Sequence, residues 1–487
     1  MIIAYDLGTG GLKASLYTAR GELRAFEFDA YETRREGALI MEQNPGDWWR
    51  AIVAATGGLL QKTGAKPSEI EAVSISGHSL GVAPIDANGA LLAEFTPIWS
   101  DRRAGKQAAG FFKKFSYKDW YTRTGGGFPP ECYSLFKVLW HRENSPELFE
   151  KAAVFLGTKD YCNFKFTGEI ATDHSYASGC GAYSLLGRKY DAEILEAAGL
   201  EKNPFAPVMP SDGVVGVISP EAARQTGLGT HTKVVCGGVD NSCMALGSMG
   251  TRAGRVYTSL GSSAWVALTS EKPVLDFKYK PYVFAHLIEG LYVCSTCIFS
   301  SGTSLEWLRK MFCENLGYKE LDELAAQSPA GARGVIFNPS LAGGSMIEKS
   351  PDIAGALAGL KLSTSRADVL RAGLEGIALN LNFALEVLRR YCACADKMLI
   401  TGGGAKSELW KRIFADVYNM EIITSSVRQE AASLGAAALA MKAIGAIDSY
   451  ESLDALHALG EPVKPDPETV QKYNGIYAEF RRLAENL

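Results

Sequence analysis

The chain has 487 residues, 47% of them hydrophobic and 21% charged, with a formal net charge of -4. That length exceeds a single core and predicts about two or three domains. The balanced charge, with no basic run and no acidic tail, argues against a nucleic-acid partner and a disordered arm.

The chain opens with no basic segment leading into an apolar one, so no secretory signal is expected and the expectation is a cytoplasmic protein. Three strand patterns, MIIAYDLG, GLKASLYTA and ELRAFEFDAY, follow one another across turns at Gly and Arg-Gly. NPGDWWRAIVAATGGLLQKTG predicts an amphipathic helix entered through Pro-Gly. IEAVSISGHSLGVAPID predicts a strand, a glycine-rich turn and a second strand. TKVVCGGVDNSCMALGSMG predicts a short strand running into a helix. RVYTSLGSSAWVAL, Arg255 to Leu268, repeats the opening pattern: strand, a bend with glycine and hydroxyls, strand. After LYVCSTCIFSSGTSLEWLRKMF and the helix LRAGLEGIALNLNFALEVLRRYC, KMLITGGGAKSELWKRIFADVY again reads strand, glycines, helix. The apolar stretch LGAAALAMKAIGAI contains Lys442 and predicts a packed helix, not a membrane span. A helical tail is expected from about Ile444. Two halves that open alike predict a duplicated α/β domain with a cleft between the copies. The boundary is placed near residue 245, giving segments 1–245 and 246–487.

The bend DLGTGGLK, Asp6 to Lys13, has the parts of a phosphate cradle. Glycines let successive N–H groups converge on one point, and such a concavity holds anions. Thr9, Gly10, Gly11 and Lys13 add donors and charge. Asp6 makes sense there with Mg²⁺ between it and the phosphates, through water. A plain hairpin turn is the simpler reading of the bend alone; Gly261, Ser262 and Ser263 in a second such hairpin favour the cradle. The spacing is not that of a P-loop. In TGGGAKSELW, bare backbone before a helix N-terminus suits close approach of a base or ribose, although a tight turn uses glycines equally. Asp240, in GGVDN, stands where a strand ends and a helix begins: an N-cap, a fixed carboxylate in a cleft, or both. The helix end is expected to keep it ionised, ready to accept a proton. SGHSLG and PIWSDRR place His78, Ser79, Trp99 and Asp101 at strand ends or turns, a mixture that suits a sugar site, though a surface His and a core Trp also account for them. Of ten cysteines, the close pairs Cys294/Cys297 and Cys392/Cys394 lack the four-ligand spacing of a structural zinc. Cys392 and Cys394 fall within a helical pattern, and the expectation is buried free thiols.

In this order, DLGTGGLK, GGVDN, SLGSS and GGGAKSELW, with PIWSDRRA, LGTKDYCNFKFTGEIATDHSYASG, EQNPGDWW and SLGAAALA, resemble the FGGY carbohydrate kinases over nearly the whole chain. The resemblance implies two ribonuclease H-like domains of the actin, Hsp70 and hexokinase type. It implies transfer of the ATP γ-phosphoryl group to a small sugar, first of all a pentulose such as xylulose, then another pentulose or a pentitol, then gluconate or glycerol. It implies Asp240 as the base. Thr9, Gly10, Gly11, Lys13, Gly261, Ser262, Gly302, Gly403 and Ser407 then bind ATP, and Asp6 and Asp240 hold Mg²⁺. His78, Ser79, Trp99, Asp101, Asp240 and Asn241 line the sugar pocket. No nucleic acid or membrane partner is implied, and a homodimer is left open. Two segments depart from the family. GGSMIEKSP, Gly343 to Pro351, stands where a GERTP-like stretch is usual. GHSLG replaces the Gly-Gln-Met-His-Gly of the xylulokinase branch, with Leu80 at its His position; that looks closer to kinases of L-xylulose or similar polyols. The glycerol kinases' Arg-Glu pair after this strand is missing. The rival of another class is an actin- or Hsp70-like ATPase switch, against which SGHSLG and PIWSDRR speak. A sugar-binding regulator without turnover is argued against by Asp240.

Overall fold

The computed structural model describes residues 1–348, 350–427 and 430–487. Two six-stranded sheets organise it. In the first, Ile2–Leu7 pairs antiparallel with Gly11–Tyr17 and parallel with Ala72–Gly77. Leu23–Ala30 extends the antiparallel side and Lys233–Val239 the parallel side. In the second, Val256–Leu260 pairs antiparallel with Ala264–Ser270 and parallel with Lys397–Gly402. Tyr292–Ile298 extends its antiparallel side and Glu421–Ile423 its parallel side. The two sheets share one strand plan, the duplication that the repeated hairpins predict.

Local chemistry explains the flanking helices. Asn44 accepts the Gly46 N–H and starts helix Pro45–Thr63, whose Trp48, Ile52, Ala55 and Leu59 pack on the first sheet. Each fully buried Ile or Leu there contributes roughly 1.5–3 kcal/mol. Ser365 and Asp368 form a capping box that starts helix Arg366–Arg389, the centre of the second core.

Two helices lie between the sheets, Asp240–Gly247 and Ala431–Ala443. Cys243 and Leu246 pack with Ala436 to Met441 against Ile2, Ala4 and Val235 of the first sheet. Ala245 packs against Tyr257, Ala267 and Leu399 of the second. Their crossing demands glycine: a Cβ at Gly247 would lie 1.8 Å from the Ala431 carbonyl oxygen, and one at Gly435 2.0 Å from that of Cys243. The late helix therefore belongs to the seam between the halves.

Cys392 and Cys394 lie outside the helix expected to hold them. Helix Arg366–Arg389 ends first, and the Ala395 N–H donating to the Gly254 carbonyl at 2.8 Å draws the chain toward its next strand. The tail ends in helix Pro467–Asn486, but Leu459 and Val463 first form bridges to Ser425 and Ile422. Within GGSMIEKSP, Lys349 lies outside the described residues. Among the described residues no helix is long and apolar enough to cross a membrane.

Candidate active site

The tip of the first hairpin is bare backbone. The Gly8 N–H donates to the Gly11 carbonyl at 3.1 Å, and nothing lies within 4 Å of a Cβ placed on Gly10. The tip is gripped from behind. Tyr31 Oη donates to the Gly8 carbonyl at 2.6 Å; Gln43 Nε2 and Thr33 Oγ1 donate to that of Thr9 at 2.8 and 3.2 Å. Lys13 sits opposite Asp6 in the strand register. The second hairpin exposes Gly261 and Ser262 and is clamped to helix Gly302–Cys313. The Gly302 N–H donates to the Gly261 carbonyl at 2.9 Å, and the Ser301 and Thr303 N–H groups to that of Ser262 at 2.9 and 3.2 Å. The neighbouring Ser301 hydroxyl is buried with no hydrogen-bond partner among the described residues. In the third glycine cluster Gly403 is exposed with open space around it. Ser407, expected at the nucleotide, caps helix Glu408–Tyr418 by accepting the Trp410 N–H at 3.0 Å. Beside this turn a pocket of about 410 Å³ opens, lined by Gly402, Ala405, Lys406, Lys411, Thr424 and Ser425.

Asp240 stands on a bulge. Strand Lys233–Val239 gains one residue on its neighbour between Val235 and Gly238. Gly237 carries the irregularity at φ 76, where a Cβ would lie 2.1 Å from the Ile75 carbonyl oxygen. Lys159 Nζ and Asn163 Nδ2 donate to the Cys236 carbonyl at 3.2 and 2.8 Å, and the Val239 N–H donates to Ser175 Oγ at 3.0 Å. Lys159 is itself buried between Asp160 and Asp173, at 2.6 and 3.1 Å. Asp240 is the first helical residue, and its Oδ1 accepts the Asn241 N–H at 2.8 Å and Asn241 Nδ2 at 3.1 Å. The helix end does not hold its proton affinity down. Burial, and then the charge of Asp6, push Asp240 up to about 7. Asp6 is also raised by burial, against a 2.9 Å hydrogen bond from Ser76 and the charge of Lys13. A carboxylate poised near neutrality suits proton abstraction from a hydroxyl. Among the described residues no three His, Cys, Asp or Glu side chains group as a metal site.

The sugar-side residues divide into two layers. Trp99 is 37% exposed and donates from Nε1 to Thr9 Oγ1 at 2.9 Å. Ser79 and His78 share one turn and both are buried, at 6% and 1% exposure. His78 Nε2 meets Gln43 Oε1 and its Nδ1 meets Thr158 Oγ1, both at 3.1 Å. Burial lowers it to about 4, so it is neutral at physiological pH. Asp101 is fully buried, with Oδ2 accepting from the Met41 N–H and Arg103 Nη2 and Oδ1 from the Arg103 N–H and Nε. His78 and Asp101, expected in the pocket lining, thus stand behind it with their polar atoms occupied. Leu80 takes a left-handed conformation, φ 63, and sinks its side chain into an apolar cluster with Phe136 and Ala177. Lys137 Nζ donates to the carbonyls of Leu80 and Ile98 at 2.9 and 2.6 Å, stapling the two sugar-side turns together.

A cavity of about 310 Å³ runs from Trp99 across to the second half. Phe128 and Cys132 line it on one side, Tyr282, Cys297 and Ser345 on the other. Phe128 and Tyr282 stack at 4.5 Å. Burial above all, and then the neighbouring Cys297 and Tyr257, raises the Tyr282 hydroxyl. Ser345, in the stretch that departs from the family pattern, buries a hydroxyl that has no hydrogen-bond partner among the described residues. Sequence reasoning missed these residues. The available signal was Gly125 to Gly127 before Phe128: the Val283 N–H donates to the Gly125 carbonyl at 3.0 Å, and a Cβ at Gly127 would lie 2.2 Å from the Lys280 carbonyl oxygen. The glycines let the halves touch beside the cavity.

Residues 1–247 match the FGGY family of carbohydrate kinases, N-terminal domain, and residues 256–444 its C-terminal domain. A xylulose kinase of Bacillus subtilis is 30% identical over 484 residues, 99% of this chain and 96% of that protein. A gluconokinase of the same organism is 28% identical across 100% of this chain and 96% of its own length. The crystal structure of xylulose kinase from Rhodospirillum rubrum superposes with a TM-score of 0.92 at 28% identity, covering 100% of this chain and 98% of that one.

Proposed function

The chain belongs to the FGGY family of carbohydrate kinases, and from that premise we propose that its acceptor is xylulose. The sugar kinase class and the use of ATP come with the family. Supporting the finer reading are the xylulose kinases among its relatives and a cavity of about 310 Å³ lined by the aromatic rings of Trp99, Phe128 and Tyr282. The observation that carries the kinase reading is Asp240, held at the start of a helix on a braced bulge; the choice of sugar rests on the relatives.

Segments 1–245 and 246–487 form the sugar-side and nucleotide-side halves of this reading. The first hairpin, with Thr9, Gly10, Gly11 and Lys13, and the second, with Gly261 and Ser262 backed by Gly302, bind the phosphates from opposite sides. Gly403 leaves space for the base or ribose, while Ser407 fixes the helix below it. Trp99, Ser79 and Asn241 line the sugar pocket with Asp240; His78 and Asp101 hold that lining in place. Asp240 accepts the proton of the attacking hydroxyl as its oxygen bonds to the γ-phosphorus and the bond to the β-phosphate oxygen breaks. Phosphoryl transfer is mainly positioning and charge stabilisation, which two facing hairpins provide. Asp6 and Asp240 are a hard oxygen donor pair under mutual repulsion, and they fit Mg²⁺. Bound there, Mg²⁺ neutralises phosphate charge.

Leu80 places no donor where the xylulokinase branch carries His, so preference at one sugar hydroxyl is altered. ADP release is to be measured with D-xylulose, L-xylulose, other pentuloses, pentitols, gluconate and glycerol. Fastest turnover on xylulose of one hand is expected. Efficient use of gluconate or glycerol, with none of a five-carbon acceptor, overturns the assignment of the sugar.

A further inference from the structure

We propose that Thr9 couples the two substrate sites: Trp99 and Gln43 hold it from the sugar side, and its hydroxyl faces the phosphates of ATP. The inference rests on the kinase reading above and concerns how the site waits for its acceptor.

The chemistry of the partners fixes the direction of each bond. An indole N–H only donates, so in the 2.9 Å contact from Trp99 Nε1 the Thr9 oxygen accepts. The single Thr9 hydroxyl proton is then left for another acceptor, and a phosphate oxygen is the acceptor a kinase brings there. The Thr9 carbonyl is held at 2.8 Å by Gln43 Nε2. The amide of Gln43 is oriented by the same logic. Its Oε1 accepts from Trp48 Nε1 at 2.9 Å, which only donates. His78 Nε2, 3.1 Å from the same oxygen, must then carry the ring proton. The ring is neutral, held down to about 4 by burial, so its Nδ1 accepts from Thr158 Oγ1 at 3.1 Å.

Two turns of the sugar side therefore converge on one residue of the phosphate hairpin. The turn after strand Ala72–Gly77 reaches the Thr9 carbonyl through His78 and Gln43. The turn bearing Trp99 reaches its hydroxyl directly. Trp99 is 37% exposed and lines the acceptor cavity, so its ring is the member of this path that an acceptor touches. A sugar packed on that ring fixes the indole, and the indole fixes the Thr9 hydroxyl. Trp99 and Gln43 are positioning residues, and Thr9 is the group that meets the nucleotide. Coupling of this kind is reciprocal: whatever factor the sugar adds to nucleotide affinity, the nucleotide adds to sugar affinity.

Calorimetry tests it, with the Mg²⁺ complex of the non-hydrolysable ATP analogue AMP-PNP as probe, with and without xylulose of the hand that is turned over. Wild type should bind the analogue at least about fivefold more tightly when xylulose is present. In Trp99→Phe, which keeps an apolar ring and loses the N–H, that factor should fall to within about twofold of unity, whatever the change in the affinity for xylulose itself. Thr9→Val should do the same, and the double variant should lose nothing more, since both changes cut one bond. Thr9→Val carries the test alone if Trp99→Phe does not fold, as judged by circular dichroism. A wild-type coupling factor retained in either folded variant, or no coupling in wild type, overturns the inference. No turnover of any acceptor by wild type is instead a failure of the proposed function.

Discussion

In the proposed mechanism Asp240 takes a proton from a hydroxyl, and its surroundings on balance raise its proton affinity. Burial is the larger influence and the Asp6 charge the next, and together they bring it to about 7. The hydrogen bonds from Asn241 oppose this without cancelling it. Asp240→Asn keeps the shape and removes the base, so kcat should fall by ~10²–10⁴ with sugar affinity nearly unchanged. Thermal melting at pH 8 should be no lower than wild type, because the substitution removes a charge that burial and Asp6 both disfavour. Turnover close to wild type in the purified variant contradicts the role. The strand-end position of Asp240 and the place of Asp6 and Lys13 in a glycine hairpin were legible in the sequence, because glycines and a change of pattern mark both turns. The partition of the sugar-side residues was not. Nothing in SGHSLG shows that the imidazole turns inward to Gln43, and nothing in PIWSDRR shows that Asp101 is spent on Arg103. Residue type names the possible partners, while burial decides which of them is taken.

The elements that carry the site were easier to read than their neighbours. Both hairpins announce themselves by an apolar run, a bend of glycine and hydroxyl, and a second apolar run. The strand leading to Asp240 was legible too, but its bulge was not, since Gly237 looks like any glycine in an apolar strand. The helix Ala431–Ala443 is buried on nearly every side, and a helix apolar all round says only that it is covered. Its partner was not legible because its closest approach is between backbones, at Gly435 and Gly247, and the side-chain packing beside it, with Cys243 and Leu246, leaves no pattern that names a partner. That crossing permits a specific test. Gly435→Val forces a side chain into a space where even a Cβ would be 2.0 Å from the Cys243 carbonyl oxygen. Overpacking of this kind typically costs ~1–3 kcal/mol, and backbone contact places it at the upper end. Urea denaturation should show that loss. Because Cys243 is on the Asp240 helix, kcat should fall as well. Unchanged stability and rate would mean the helices do not meet as described.

For the whole molecule, five strands of each sheet repeat one plan, and the crossed helices, with Asp240 at the start of one, lie at the seam between the two sheets. The duplication could be read from repeated motifs. The cavity beside Trp99 could not, because its walls come from segments far apart in the chain, around Trp99, Phe128, Tyr282 and Ser345. Closure of the halves around both substrates would exclude water that otherwise consumes the nucleotide. An ATPase switch built on the same hairpins would instead hand the phosphoryl group to water, and the fate of that group separates the two. The most direct measurement is ³¹P NMR of the protein with MgATP and xylulose, followed to completion. The account predicts a sugar phosphomonoester growing in step with ADP, and little inorganic phosphate. Inorganic phosphate rising in step with ADP, with no phosphomonoester from xylulose or any other acceptor of the screen, would contradict it.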